Sequence, residues 1–170
     1  MFDTMKCNVK WPMVFVSFCM TSFVFIKTGF AQTKFEKSVF YDTMASGSLD
    51  SVNNELDFIK GAPINNKEGY EGALLIRKSG LVTPATKRLK LFKEGRIKLE
   101  TAILSDNENT EFHFLRLAIE EHAPKIVKYH SDIERDKVIV QKNFKNLSAS
   151  VQRAILNYCK KSKVLHAEEL

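Results

Sequence analysis

The chain has few of the residues that interrupt helices or crosslink a fold. It contains 7 glycines, 4 prolines and 3 cysteines in 170 residues, and only Cys159 lies beyond residue 31. A single cysteine in that region excludes an internal disulfide and a CxxC site there. No stretch shows the repeated alternation of β-branched residues that marks a strand. The fold must therefore be held by its apolar core, and helices are the expected elements.

The first 31 residues have the three-part order of an export signal. Lysines precede an uncharged segment at 11–26, and a short stretch containing glycine and alanine follows at 28–31. Glycine and alanine occupy the −3 and −1 positions, where only small side chains are accepted. We therefore predict a signal peptide at 1–31, cut between Ala31 and Gln32. The remaining domain is expected to be exported, either to the periplasm or out of the cell.

The same segment allows a second interpretation. The uncharged segment at 11–26 has nearly the length of a membrane-spanning helix, which needs roughly 17 to 25 residues. If the segment were not cleaved, it would tether the domain to the inner membrane. Cleavage would remove three lysines and one aspartate and lower the net charge from +6 to +4. A net charge this small does not indicate which kind of partner the domain binds. We interpret the basic run at 87–98 as a solvated face or as a surface that contacts anionic lipid headgroups, and we predict no binding of nucleic acid.

Apolar residues recur at helical spacing through most of the remaining chain, and turns of glycine, proline or polar residues separate the helical stretches. We predict about seven helices, at 35–45, 49–60, 66–79, 84–105, 110–122, 132–144 and from 149 onward. The predicted fold class is all-α, an antiparallel array or bundle of helical hairpins. It forms a single domain at 32–165, followed by a disordered tail at 166–170.

Serines and threonines mark several expected helix starts. Ser48 and Ser148 each precede a helix, where a hydroxyl can accept a hydrogen bond from a backbone amide one turn on. Thr83 stands before a proline, which suits the first helical position because its missing N–H has no partner there anyway. Ser131, with Glu134 three residues later, is typical of a capping box.

Two of the predicted helices indicate how the core is arranged. In the fourth helix Leu89, Phe92, Leu99 and Ile103 share one face, whereas its lysines point elsewhere, so this face is expected to be buried. The fifth helix is apolar on nearly all sides, and such a helix lies at the centre of a domain. We therefore expect the fifth helix to be the core helix.

The third and fourth helices resemble one tetratricopeptide repeat. Gly95, Leu99 and Ala102 match the second-helix pattern of that family. Tyr70, Gly72 and Ala73 supply the small-residue contact of the first helix. Compared with a standard repeat, about eleven extra residues separate the two helices, and no second copy follows at the usual period. The resemblance implies a helical hairpin whose groove can hold a protein or peptide.

Two further segments, at 112–117 and 123–129, carry a wider resemblance. With them the chain looks like small exported helical proteins of unassigned function from Bacteroidota. This resemblance implies export and a helical fold, and it implies no activity.

The sequence has none of the spacings that common catalytic or metal sites require. It contains no HExxH, no Glu-x-x-His pair, no G-x-S-x-G and no glycine-rich phosphate loop. Glu120 and Glu121 cannot flank one bond because neighbours on a helix point about 100° apart, and we interpret them as part of a solvated helix end. We predict no catalytic residue, no metal and no cofactor. An enzyme assembled from scattered residues is a third hypothesis beside the two given below.

Arg96 and Arg116 lie on or beside the apolar faces of their helices. A guanidinium in such a position takes a carboxylate in bidentate contact. The nearest candidates in a hairpin arrangement are Glu71, Glu111 and Glu120. Alternatively, the two arginines line a groove together with Tyr70 and Arg77 and grip an acidic peptide or a substrate carboxylate.

Two functions of different classes follow from these observations. The first is an exported, non-enzymatic helical binding or scaffold domain that contacts a protein or peptide of the cell envelope through this groove. The second is a periplasmic helical bundle that binds a lipid or another small apolar or anionic ligand. A concave face lined by the four residues would favour the first function, and a closed apolar cavity would favour the second.

Overall fold

A computed structural model describes residues 34–170. The predicted signal peptide at 1–31 and its cleavage site between Ala31 and Gln32 lie outside the described residues. Within 34–170 the chain forms seven α-helices, three short 3-10 helices and no strand, which confirms the all-α prediction. None of these helices has the length and apolar character needed to cross a bilayer. The α-helices are α1 Lys37–Ala45, α2 Leu49–Gly61, α3 Lys67–Ser79, α4 Ala85–Ser105, α5 Thr110–His122, α6 Ile133–Asn143 and α7 Ala149–Cys159. The 3-10 helices are Lys125–Val127, Phe144–Asn146 and Ala167–Glu169.

Local sequence signals set several of the helix ends. The Ser48 hydroxyl accepts a hydrogen bond from the Ser51 N–H at 3.1 Å, which confirms the predicted cap of α2. Gly80 follows the last residue of α3 as its C-cap. At the start of α5 the Asn109 side chain accepts from the Phe112 N–H at 3.2 Å. The two N-terminal caps give partners to backbone N–H groups that a first helical turn leaves unpaired.

Three of the predicted caps are wrong in detail. Helix α4 begins one residue later than expected, with Pro84 rather than Thr83 as its N-cap. Ser148 does occupy the N-cap of α7, but its hydroxyl makes no capping bond. The Ser131 hydroxyl donates to the carboxylate of the neighbouring Asp132 at 2.8 Å, so the predicted capping box does not form. In that last case an adjacent carboxylate competes for the hydroxyl.

Helix α5 lies at the centre of the fold, as predicted. It contacts α3, α4, α6 and α7, and its residues Phe112, Leu115 and Leu117 are buried. Residues 34–170 belong to one compact unit, and the apolar core lies within it. Burying each large apolar side chain contributes about 1.5–3 kcal/mol, so this core can hold the unit without a crosslink.

Helices α3 and α4 form a tight hairpin because glycines face each other where they meet. A Cβ built on Gly95 would lie 2.5 Å from the backbone oxygen of Gly72 and 2.9 Å from the backbone nitrogen of Ile76. A Cβ built on Gly72 would lie 2.6 Å from the backbone nitrogen of Leu99. Backbones can approach this closely only where no side chain intervenes. The tetratricopeptide pattern identified both glycines, although the family resemblance itself stays a prediction.

The C-terminal segment differs from the predicted disordered tail. Ala167–Glu169 form a 3-10 helix, and Lys137 of α6 donates to the Glu169 carboxylate at 2.9 Å. Leu165 is buried and Leu170 packs against the core. Burial of these two leucines offsets the conformational entropy lost when a polar segment is ordered.

Candidate binding cleft

An open cleft of about 1080 Å³ lies among α1, α3, α4, α5, α7 and the 3-10 helix Lys125–Val127. Most of its surface is apolar, and it is open to solvent, since Leu89 is 48 % and Ile126 is 88 % exposed. We call it the α4–α5 cleft, after its two principal walls. Those walls include Ala85, Leu89 and Phe92 of α4 and Phe114, Leu115, Ala118 and Ile119 of α5.

The difference in length between α4 and its partner helix opens this cleft. Helix α4 has 21 residues and α3 has 13, which correspond to about 30 Å and about 20 Å. Residues 85–90 at the start of α4 are all exposed, because α3 is too short to cover them. Leu89 was predicted to lie on the buried face, and this is wrong. Phe92, Leu99 and Ile103 of that face are buried as predicted.

Cations dominate the polar lining of the cleft. They are Arg77, Arg88, Lys93, Arg96 and Lys161. Within residues 34–170 none of the five forms a salt bridge, and Asp42 is the one carboxylate among the described lining residues. Positive charge beside a low-dielectric wall attracts anionic groups and raises their local concentration.

Two of these cations are held in place without being neutralised. Arg77 donates from Nε to the Ser46 carbonyl oxygen at 3.1 Å. The Arg96 guanidinium lies over the Tyr129 ring, 4.4 Å from its centre, instead of bonding the predicted carboxylate. A carbonyl or an aromatic face fixes the position of a cation and leaves its charge intact.

The structure brings only two of the four predicted groove residues together. Arg77 and Arg96 line the α4–α5 cleft. Tyr70 is buried, and its ring packs edge-on against that of Phe112 with 5.2 Å between the ring centres. Arg116 is 3 % exposed and does not line the cleft. The predicted groove of four residues is therefore wrong, since the fold turns Tyr70 and Arg116 inward.

Arg116 belongs to a buried charge cluster instead. Its Nε and Nη2 donate to the two carboxylate oxygens of Asp136, each at 2.7 Å, and its Nη1 donates to Glu100 at 2.8 Å. A carboxylate oxygen of Asp132 lies 3.5 Å from Nη2. Arg116 thus makes an ion pair within the fold, but with carboxylates of α4 and α6 and not with the three candidates that the sequence suggested.

His113 completes this cluster from the other side of Asp136. The fully buried His113 ring places Nδ1 2.6 Å from the Asp136 carboxylate and Nε2 2.9 Å from the Asn107 carbonyl oxygen. Burial opposes the charged form of Asp136, but the hydrogen bonds from Arg116 and His113 outweigh it and hold the pKa of this carboxyl below its ordinary value.

Glu120 and Glu121 lie in opposite environments, and the predicted solvated helix end is wrong for Glu120. Glu120 is 0 % exposed, and one of its oxygens accepts from the Asp132 N–H at 2.9 Å. Its other oxygen has no hydrogen-bond partner within the described chain, and burial raises the pKa of this carboxyl. Glu121 accepts from the hydroxyls of Tyr158 and Ser162 and from the Lys163 N–H. Burial opposes the charged form of Glu121 too, but these three donors hold its pKa below the ordinary value.

Glutamine substitutions of these neighbours are expected to have opposite effects. Glu120→Gln should raise the free energy of unfolding by about 1 kcal/mol at neutral pH, because it removes a carboxylate that is costly to ionise when buried. The gain should shrink as the pH falls through the raised folded pKa of Glu120 and vanish below the unfolded-state pKa of about 4.3, because protonation relieves the same cost. Glu121→Gln should lower stability at neutral pH. Guanidinium unfolding of both variants measures this, and a shift of the same sign in both would contradict it.

The described residues offer little material for covalent or metal chemistry. Within 34–170 no group of three or more His, Cys, Asp or Glu side chains is placed to hold a metal ion. Cys159 is buried as a free thiol, and burial raises its pKa. A thiol is a weak nucleophile until it ionises, so this environment disfavours reactivity.

Comparison with known proteins adds no family to this description. No protein-family model matches the chain, and neither a curated protein nor a solved structure is significantly similar to it. The likeness to a tetratricopeptide hairpin and to exported proteins of Bacteroidota therefore stays a prediction.

Proposed function

We propose that residues 32–170 are an exported, non-enzymatic binding domain that holds a protein or peptide partner in the α4–α5 cleft. The observation that carries this proposal is the open cleft of about 1080 Å³ with exposed apolar side chains, among them Leu89 and Ile126, along it. Contiguous exposed apolar surface marks interaction sites in soluble domains. Removing it from water contributes roughly 25 cal/mol for each Å².

The chemistry of the cleft supports binding more than catalysis. Its charged groups are mainly long cations, whereas acid and base work needs paired titratable groups within hydrogen-bond reach of a substrate. The fully buried carboxyls of Glu120 and Asp136, whose pKa values are shifted, do not line the cleft. Their role is to hold α4, α5 and α6 together.

A lipid or another small apolar and anionic ligand is the second candidate occupant. The combination of an apolar floor with Arg77 and Arg96 favours it. The shape favours the first candidate, because exposed residues such as Leu89 leave the cleft open along one side instead of closing it around a small molecule.

A photoreactive amino acid at position 89 tests the proposal in the native cells. We expect an ultraviolet-dependent adduct with the added mass of a protein, because this position faces the cleft. Position 104 is the matched control, since Leu104 lies on the same helix and is 83 % exposed but does not line the cleft. The mass of the uncrosslinked protein reports whether the chain is cut after Ala31.

Three outcomes of this experiment separate the possibilities. A protein adduct at position 89 and little at position 104 supports the proposal. An adduct of lipid mass alone at position 89 would favour the second candidate. Equal protein adducts at both positions, or none at either, would contradict the cleft as the binding site.

A further inference from the structure

We propose that the occupant of the α4–α5 cleft is an acidic amphipathic helix of the partner protein, with its apolar stripe on the cleft floor and its carboxylates against the surrounding cations. This inference rests on the proposed function and narrows it to one class of partner. It is carried by the spacing of the lining residues and by the distribution of charge around them.

The two principal walls of the cleft present helical stripes. On α4 the lining residues recur every three or four positions from Ala85 to Arg96, a distance of about 16 Å or three turns. On α5 they recur from Phe114 to His122, about 12 Å. Rows of this kind form ridges between which the side chains of a third helix can pack. A helix with apolar residues at i, i+3 or i+4, and i+7 matches such a groove.

Among residues 34–170 three carboxylates contact the buried Arg116, whereas Asp42 is the one carboxylate that lines the cleft with its five cations. The three that contact Arg116 come from α4, α6 and the residue preceding α6. By contrast, Arg88, Lys93 and Arg96 form no salt bridge with any described residue. Cations left beside an apolar floor provide electrostatic complementarity for an anionic partner. The missing carboxylates therefore come from the occupant.

The cations are spread along the cleft instead of being gathered at one end. Arg88, Lys93 and Arg96 cover about 12 Å of α4, while Arg77 belongs to α3 and Lys161 follows α7. The single headgroup of a lipid meets one or two of these cations. A helix that carries a carboxylate at every turn can contact several of these cations at once. The charge distribution therefore favours an acidic helix over a lipid.

Three synthetic peptides test the inference on residues 32–170, the compact unit that contains the core. Each has about 18 residues, long enough to be helical in the groove. One combines a leucine stripe with flanking glutamates, the second has lysines in place of the glutamates, and the third is a scrambled glutamate peptide without the stripe. Fluorescence anisotropy should show that the glutamate helix binds at least about tenfold tighter than either of the others, because several ion pairs act together.

Charge-reversal variants test whether the cations of the cleft cause the preference for the glutamate peptide. The double variant Arg88→Glu with Lys93→Glu should turn the preference toward the lysine peptide, since both side chains are exposed and line the cleft. The matched control, Lys142→Glu with Lys145→Glu, changes two exposed lysines that do not line the cleft and should leave the preference unchanged. Circular dichroism confirms that both variants are folded.

The results that would overturn the acidic helix differ from those that would overturn the proposed function. Equal affinity for the glutamate and lysine helices would overturn the acidic helix. The proposed function would survive if Ala118→Trp, which places a bulky ring in the cleft, then abolished binding of both peptides. Tighter binding to phosphatidylglycerol vesicles than to the glutamate helix would assign the cleft to a lipid and overturn the inference. Failure of all three peptides to bind would also overturn it, and crosslinking at position 89 would then decide the proposed function by itself.

Discussion

Replacing Asp136 by alanine is expected to lower the free energy of unfolding by about 3–5 kcal/mol, because it leaves the Arg116 guanidinium buried without its bidentate partner. Asp136 is also the acceptor of the buried His113 ring. A loss of this size approaches the whole stability of many domains, about 5–15 kcal/mol. Equilibrium unfolding in guanidinium at neutral pH measures it.

The matched control for this variant is Asp132→Ala. Asp132 is 3.5 Å from the same guanidinium and its side chain is 26 % exposed, so we expect a loss of less than about 1 kcal/mol. Because the pKa of Asp136 is lowered in the folded protein, its contribution is complete above the unfolded-state pKa of about 3.9 and is lost as the pH falls through the folded value. The difference between wild type and Asp136→Ala should therefore shrink in acid. If the two alanine variants lost the same free energy of unfolding, the buried Arg116–Asp136 contact would not be what holds α6 against α5.

The variant Gly95→Ala is expected to lose about 2–3 kcal/mol of unfolding free energy. Its new Cβ would lie 2.5 Å from the Gly72 carbonyl oxygen, a backbone atom that can move only if the whole helix moves. Overpacking of this kind costs about 1–3 kcal/mol or more, which exceeds the gain of up to about 1 kcal/mol from the helix propensity of alanine.

The matched control for Gly95→Ala is Gly61→Ala at the end of α2. A Cβ on Gly61 would meet no atom within 4 Å, and its φ is not positive. This variant should be unchanged or gain about 0.4–1 kcal/mol, because alanine restricts the unfolded chain. Thermal unfolding of both proteins gives the comparison. A stable Gly95→Ala would show that α3 and α4 do not meet at these glycines.

Much of the helical fold could be predicted because its signals are local. Ser48 caps α2 and α3 ends at residue 79, as the sequence predicted, and the apolar character of α5 identified the central helix. The pairing of Gly72 with Gly95 was also indicated, since both match positions at which a helical hairpin needs a small residue.

The charge cluster could not be predicted because its members are far apart in sequence. Asp136 lies 20 residues beyond Arg116 on a different helix, and the sequence does not show how α6 packs against α5. The sequence candidates for the partner of Arg116 were chosen from a hairpin geometry that places other carboxylates nearby. The burial of Glu120 was missed for the same reason, since it depends on where α6 begins.

The cleft was missed because it depends on relative helix length and not on any motif. Arg88 and Lys93 were assigned to a solvated face, and they are indeed exposed, but that face borders apolar side chains. The signal that could have found it was Leu89, an apolar residue within a basic run at the one end of α4 that has no matching length of α3.

If a protein partner enters the α4–α5 cleft, a bulky side chain placed in the cleft should prevent crosslinking at position 89, and the crosslinking yield in an Ala118→Trp background measures this. Ala118 lies on the α5 wall and is only half-buried, so a tryptophan there would project into the cleft. We expect the protein adduct at position 89 to disappear while the free energy of unfolding stays within about 1 kcal/mol of the parent, because the added ring occupies open space. Persistence of the adduct would contradict the account, since the partner would then reach position 89 without entering the cleft.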